Sequence, residues 1–199
     1  VTYVQNVTDI DDDILKKARE LGKDWRELGE ENTQIFLEDM RWLNNTQPDI
    51  YPRAKDHIID MINLTKKLLS KGWAYERSGN VYFQIARFKE YGKLSKIPRK
   101  EMLHIANQRG NDPCDPNKKD PLDFVLWQAK KPGEPSWPSP WGPGRPGWHI
   151  ECSAMALKYL GETIDIHGGG HDLIFPHHES SAAQSETATG RDFVRYWMH

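Results

Sequence analysis

An α/β fold built on a parallel sheet and split by a long insertion follows from three features of this sequence. Residues 141–199 alternate helix, strand, helix and strand, the succession from which parallel sheets are made. The opening run VTYVQNV, residues 1–7, is β-branched and aromatic and reads as a buried strand of the same sheet. Between these ends, residues 36–140 carry a helix, a hairpin and irregular polar chain, which marks them as inserted. Residues 1–35 and 141–199 are then the two halves of one nucleotide-binding fold.

Each element has its own signal. Thr8 and Asp9 precede the acidic Asp11, Asp12 and Asp13, as at a helix start where carboxylates complement unpaired N–H groups, and a weak helical pattern runs on to the early thirties. Residues 52–71 form the clearest helix: Pro52 near its start, Ile58, Ile59, Met61, Ile62, Leu64, Leu68 and Leu69 on one face, and Gly72 after it. WAYERSGNVYFQI is a hairpin around Ser78, Gly79 and Asn80. Residues 93–120 read as irregular, DFVLWQA as a short apolar run, and the six prolines from Pro132 to Pro146 as a rigid loop folded onto the body. HIECSAMALKYLG is a helix closed by Gly161, TIDIH a strand, and HESSAAQSETATG a helix closed by Gly190.

Composition narrows the class. The mean hydropathy of −0.78 is polar but compatible with a packed core. No apolar run is long enough to span a membrane, and the first residues do not have the make-up of a secretory signal. Two cysteines, Cys114 and Cys152, give no disulfide framework, so a reducing, cytoplasmic setting is expected. A net charge of −2 neither announces nor excludes nucleic acid. The start without Met and the uncapped FVRYWMH end suggest a piece of a longer protein.

Two clusters carry chemistry. TIDIH delivers Gly168, Gly169 and Gly170 at a strand's carboxyl end, where α/β sheets bind ligands, and bare backbone admits a flat ring or sugar. Asp172 follows, placed to accept from two ribose hydroxyls or, equally, to cap the next segment. Cys152 and His177 each stand near a helix start; thiolate with imidazole suits Zn²⁺, but two ligands are not a site. A buried cysteine and a capping histidine pair explain them as well, and only His178, His171 and Glu179 offer themselves as further ligands. Trp148, one helical turn before Cys152, suits a core or a pocket wall, and the acidic TDIDDD a helix dipole rather than Mg²⁺.

The blocks NVTDIDDDI, EDMRWLN, PRAKDHI, YGKLS, DPLDFVLW, PGEPSWPSPWGPGRPGWHIECSAM, DIHGGGHDLIFPHHE, AQSETATG and RYWMH, in this order from residue 1 to 199, resemble the cysteinyl-tRNA synthetases. The resemblance implies a class I synthetase catalytic domain: a Rossmann-like parallel sheet with an inserted connective peptide. It also implies activation of cysteine by ATP (with Mg²⁺) to cysteinyl-adenylate and transfer to tRNA(Cys). By position, Cys152 and His177 match zinc ligands, Thr8 and Trp148 the cysteine pocket, and Gly169, Gly170 and Asp172 the adenosine site; His167 belongs to the pocket block. Zinc binds substrate sulfur as thiolate but a serine hydroxyl poorly, so a separate editing site is unnecessary.

Three departures accompany the resemblance. The HIGH-type and KMSKS-type segments fall outside these residues, so no catalytic residue of those motifs is expected here and the piece alone should not activate cysteine. Where the family has a glutamate ligand four residues after the histidine, this chain has Ser181, which implies three protein ligands with substrate sulfur in the fourth place. Two rivals stand beside this reading. One is the mycothiol-pathway ligase, which gives cysteine to a glucosaminyl-inositol and toward which the RGNDPCDPNKKDPLD linker and the absent glutamate lean. The other is a catalytically dead synthetase-like binding module.

Overall fold

The structure, a computed structural model, describes residues 1–199. It divides into two compact units, residues 1–57 and 58–199.

In the first unit α1 (Asp12–Leu21) starts where Asp11 accepts a hydrogen bond from the Ile14 N–H at 2.8 Å. It stops at Gly22, whose φ of 63° favours a residue without a Cβ. Asp24 then caps α2 (Trp25–Trp42), so the pattern read as one weak helix is two. The opening run is not a strand. Val4 and Val7 make single parallel bridges to Ile50 and Arg53, with Val7 N–H donating to the Pro52 carbonyl at 2.8 Å. Pro52 offers no N–H in return and the chain turns at Ala54–Asp56, so the pairing cannot extend. Val1, Thr2 and Tyr3 are exposed.

In the second unit α3 (Ile58–Ser70) is shorter than the helix expected over 52–71 and buries Ile58, Met61, Ile62, Leu64 and Leu68; Ile59 faces solvent instead. The expected hairpin is present as β1 (Ala74–Arg77) and β2 (Asn80–Phe83), joined through Ser78 and Gly79, both at positive φ as a tight two-residue turn demands. DFVLWQA becomes β3 (Phe124–Ala129), and Gly144–Pro146 forms β4, giving an antiparallel sheet in the order β1-β2-β3-β4. β4 carries almost no strand signal, but Gly144 lies so close to β3 that a Cβ there would sit 2.2 Å from the Gln128 carbonyl oxygen. The proline loop folds back as expected: Trp137 bridges Gly144, and the Trp141 ring lies 5.9 Å from Trp127. α4 (Arg99–Gln108) lies in the stretch read as irregular.

The C-terminal residues follow the sequence closely. α5 (Trp148–Leu160), β5 (Ile164–Gly168), α6 (Glu179–Thr189) and β6 (Val194–Met198) alternate, and β5 pairs parallel with β6. Buried Ala156, Ile164 and Phe193, flanked by Leu157, Leu160, Val194 and Trp197, fix α5 against this parallel pair. Gly190 closes α6 at φ 82°, and the Lys71 ammonium donates to the Ala188 carbonyl at 2.6 Å, satisfying a helix-end acceptor. No helix is long and apolar enough to cross a membrane.

Candidate active site

The turn Ile174–His178, between β5 and α6, organises the site. Its backbone is extended at Phe175 (φ −135°, ψ 133°) and then turns helical into α6. Phe175 and Pro176 are buried, and the turn presents His177 and His178 toward different neighbours.

His177 meets α5. The Trp148 ring lies 4.5 Å from its ring, and His149 Nδ1 stands 3.1 Å from His177 Nδ1. Two facing Nδ1 atoms bond only if one donates and the other accepts, so the tautomers are coupled. If His177 is the donor, its Nε2 keeps a lone pair for a metal. Burial pushes the His149 pKa down to about 3 and that of His177 well below the usual range, with the neighbouring imidazoles adding to the latter. Both rings are therefore neutral near pH 7, the form in which imidazole ligates. Cys152 is half-buried one turn beyond Trp148, on the same face of α5, and neither cysteine is in a disulfide. The two helices also touch through Ser153 Oγ, which donates to the Ser181 carbonyl at 3.4 Å. Ser181 itself is fully buried, and its hydroxyl finds no hydrogen-bond partner in the chain.

His178 meets the glycine ledge. A Cβ on Gly169 would lie 2.6 Å from His178 Cε1 and 3.1 Å from Leu173 Cδ1, so the absent side chain at 169 is what lets the imidazole pack there. His178 Nδ1 lies 2.6 Å from His199 Nε2, and the His167 ring sits 4.7 Å from His178 and 4.9 Å from Trp197. Burial, reinforced by these imidazoles, holds His178 at about 3 and His167 at about 4. Beyond the ledge Asp172 is exposed. Its Oδ2 pairs with Arg109 Nη1 at 3.3 Å, and its Oδ1 lies 2.5 Å from where a Gly170 Cβ would stand.

The other ligand candidates are committed elsewhere. Glu179, 2% exposed, accepts from the backbone N–H groups of Gly92 and Ser95 at 2.8 Å each and of Leu94 at 3.5 Å. Its neighbour Ser180 bonds the Tyr91 hydroxyl at 3.0 Å. His178 is engaged with His199, and His171 lies in an exposed turn. No group of three or more histidine, cysteine, aspartate or glutamate side chains is disposed to hold a metal ion. Cys152 and His177 are thus suited by chemistry to zinc as two donors of a larger set, not as a complete site.

Thr8 belongs to the first unit. There it lines a cavity of about 640 Å³ with Asn6, Asp9, Thr33 and Tyr51 among others. Sequence reasoning missed His149, His199 and Arg109. Their partners lie 28, 21 and 63 residues away, and no local pattern announces such contacts.

The mixed α/β fold, with a parallel strand pair flanked by α5 and α6, is that of a class I synthetase catalytic domain. The chain belongs to the family described as tRNA synthetases class I (C) catalytic domain, whose model matches residues 1–199. Among curated relatives it is similar to the cysteine–tRNA ligases of Thermococcus kodakarensis and Pyrococcus furiosus, each 55% identical over 199 residues. It is also 53% identical over 203 residues to that of Thermodesulfovibrio yellowstonii. In each case all of this chain and 41% of the relative are covered, so the chain spans about two fifths of the length of these relatives.

Proposed function

We propose that the protein containing these residues is a cysteine–tRNA ligase, which condenses cysteine with ATP to cysteinyl-adenylate and passes the cysteinyl group to tRNA(Cys). Residues 1–35 and 141–199 serve as the halves of its nucleotide-binding fold and 36–140 as the connective insertion. The observation that supports the reading is the packing of Trp148 on His177, with Cys152 one turn further along α5 and the neighbouring His178 against Gly169. Cys152 and His177 would hold zinc as two donors of a larger set. When bound, zinc lowers the substrate thiol's pKa and distinguishes cysteine from serine.

The chain's own residues bind and orient. Neutral His149 fixes the tautomer of His177, as a hydrogen-bonded neighbour of a ligating imidazole does. Trp148 and His167 wall the cysteine side chain. Adenosine lies beside Gly169 and Gly170, whose missing side chains make room for His178 and for Asp172 Oδ1, and Asp172 accepts from its ribose hydroxyls. In full-length protein, Cys152→Ser is expected to lower zinc content at least about tenfold and abolish cysteine-dependent ATP–pyrophosphate exchange. Unchanged zinc and exchange would remove the assignment. Supplying tRNA(Cys) and a glucosaminyl-inositol separately identifies the acceptor; the names of the relatives support the tRNA. Charging of the amino sugar alone would point to the mycothiol-pathway reaction instead.

A further inference from the structure

We infer that Arg109, at the end of α4, is a positioning residue for the nucleotide: it fixes the Asp172 carboxylate in the orientation that receives ribose. This rests on the assignment of Asp172 to adenosine. Asp172 is 56% exposed on a short turn, where a carboxylate would otherwise sample several rotamers. Here Oδ2 is held by Arg109 at 3.3 Å, and Oδ1 lies over the bare Cα of Gly170. A carboxylate accepts about four hydrogen bonds, so one guanidinium contact leaves acceptor capacity for two vicinal hydroxyls.

Arg109 is itself carried on a braced corner. Its N–H and that of Asn111 both donate to the Ala106 carbonyl at 3.0 Å. The Asn111 side chain reaches Asn107 at 2.7 Å and the Pro121 carbonyl at 3.1 Å, and Lys118 donates to Asn111 at 2.5 Å. An exposed ion pair adds little stability, so this contact is better explained by the geometry it imposes than by the fold.

The test is ATP–pyrophosphate exchange by the full-length protein. Arg109→Gln should raise the KM for ATP about five- to tenfold, with kcat and the KM for cysteine within about twofold of wild type, and Arg109→Lys should restore part of the loss. With 2′,3′-dideoxy-ATP, which has no hydroxyl for Asp172 to receive, wild type and Arg109→Gln should have the same KM. A merely structural defect would raise both. An unchanged KM for ATP in Arg109→Gln, or an equal rise with the dideoxynucleotide, overturns the inference. Asp172→Asn separates the two levels. If it raises the KM for ATP while Arg109→Gln does not, only the positioning role fails; if neither does, the adenosine assignment of Asp172 fails with it.

Discussion

Ser181 occupies a position where a hydroxyl has no partner within the chain and no exposure to solvent. A buried polar atom left in this state costs free energy unless something meets it. Replacing it with glutamate would force a longer, charged side chain into a closed space. Ser181→Glu is therefore expected to destabilise the metal-free chain by about 1–3 kcal/mol, read from thermal unfolding. Zinc affinity of the full-length protein should stay within about threefold, because three protein ligands suffice for an open zinc site. A tenfold tighter site would mean that serine leaves the metal under-coordinated. At this scale Cys152, His177, Trp148, Gly170 and Asp172 stand out only through the resemblance of the blocks that carry them, because spacing alone suits a buried cysteine, a capping histidine and a capping carboxylate as well. His149 does not: a histidine at the second position of an apolar helix looks like any other until the turn bearing His177 arrives beside it.

Helix α5 owes its placement to the joint with the antiparallel sheet. Gly147 precedes it, and a Cβ there would lie 2.0 Å from the Val125 carbonyl oxygen and 2.8 Å from its carbon. Both are backbone atoms of a central strand and cannot give way. Gly147→Ala should cost about 3 kcal/mol in urea unfolding, the upper part of the overpacking range. An effect below about 1 kcal/mol would show that the joint flexes. Elements with strong periodicity and glycine stops, such as α5, α6 and β5, were readable in advance. α4 was not, because RKEMLHIANQ is polar and its turn-bound flanks conceal the start and end; only Met102 and Ala106 are buried. The VTYVQNV run misled for the opposite reason, since strand-like residues formed only two bridges against a partner segment interrupted by proline.

Across the second unit, a line of neutral histidines ties stability to pH. Burial holds His149 and His178 at about 3 and His167 at about 4, against roughly 6.5 in an unfolded chain. Between these limits the unfolded chain takes up protons that the folded chain refuses, so stability is full above pH 6.5 and falls as the pH drops toward 4. Each histidine contributes about 1.4 kcal/mol per pH unit in that window, or about 4 kcal/mol for the three at pH 5.5. Urea midpoints measured from pH 7.5 to 5 should fall steeply below 6.5; a flat profile would mean these imidazoles are hydrated.

The Glu179 carboxylate, gripping the peptide groups of residues 92–95, has a practical corollary for protein engineering. A designer who transplants the HHESS pentapeptide into a foreign scaffold would bring along a buried carboxylate stripped of the N–H groups that meet it. The transferable unit is a discontinuous one, in which the YGKLS strip must travel with the Glu179 and Ser180 side chains it meets.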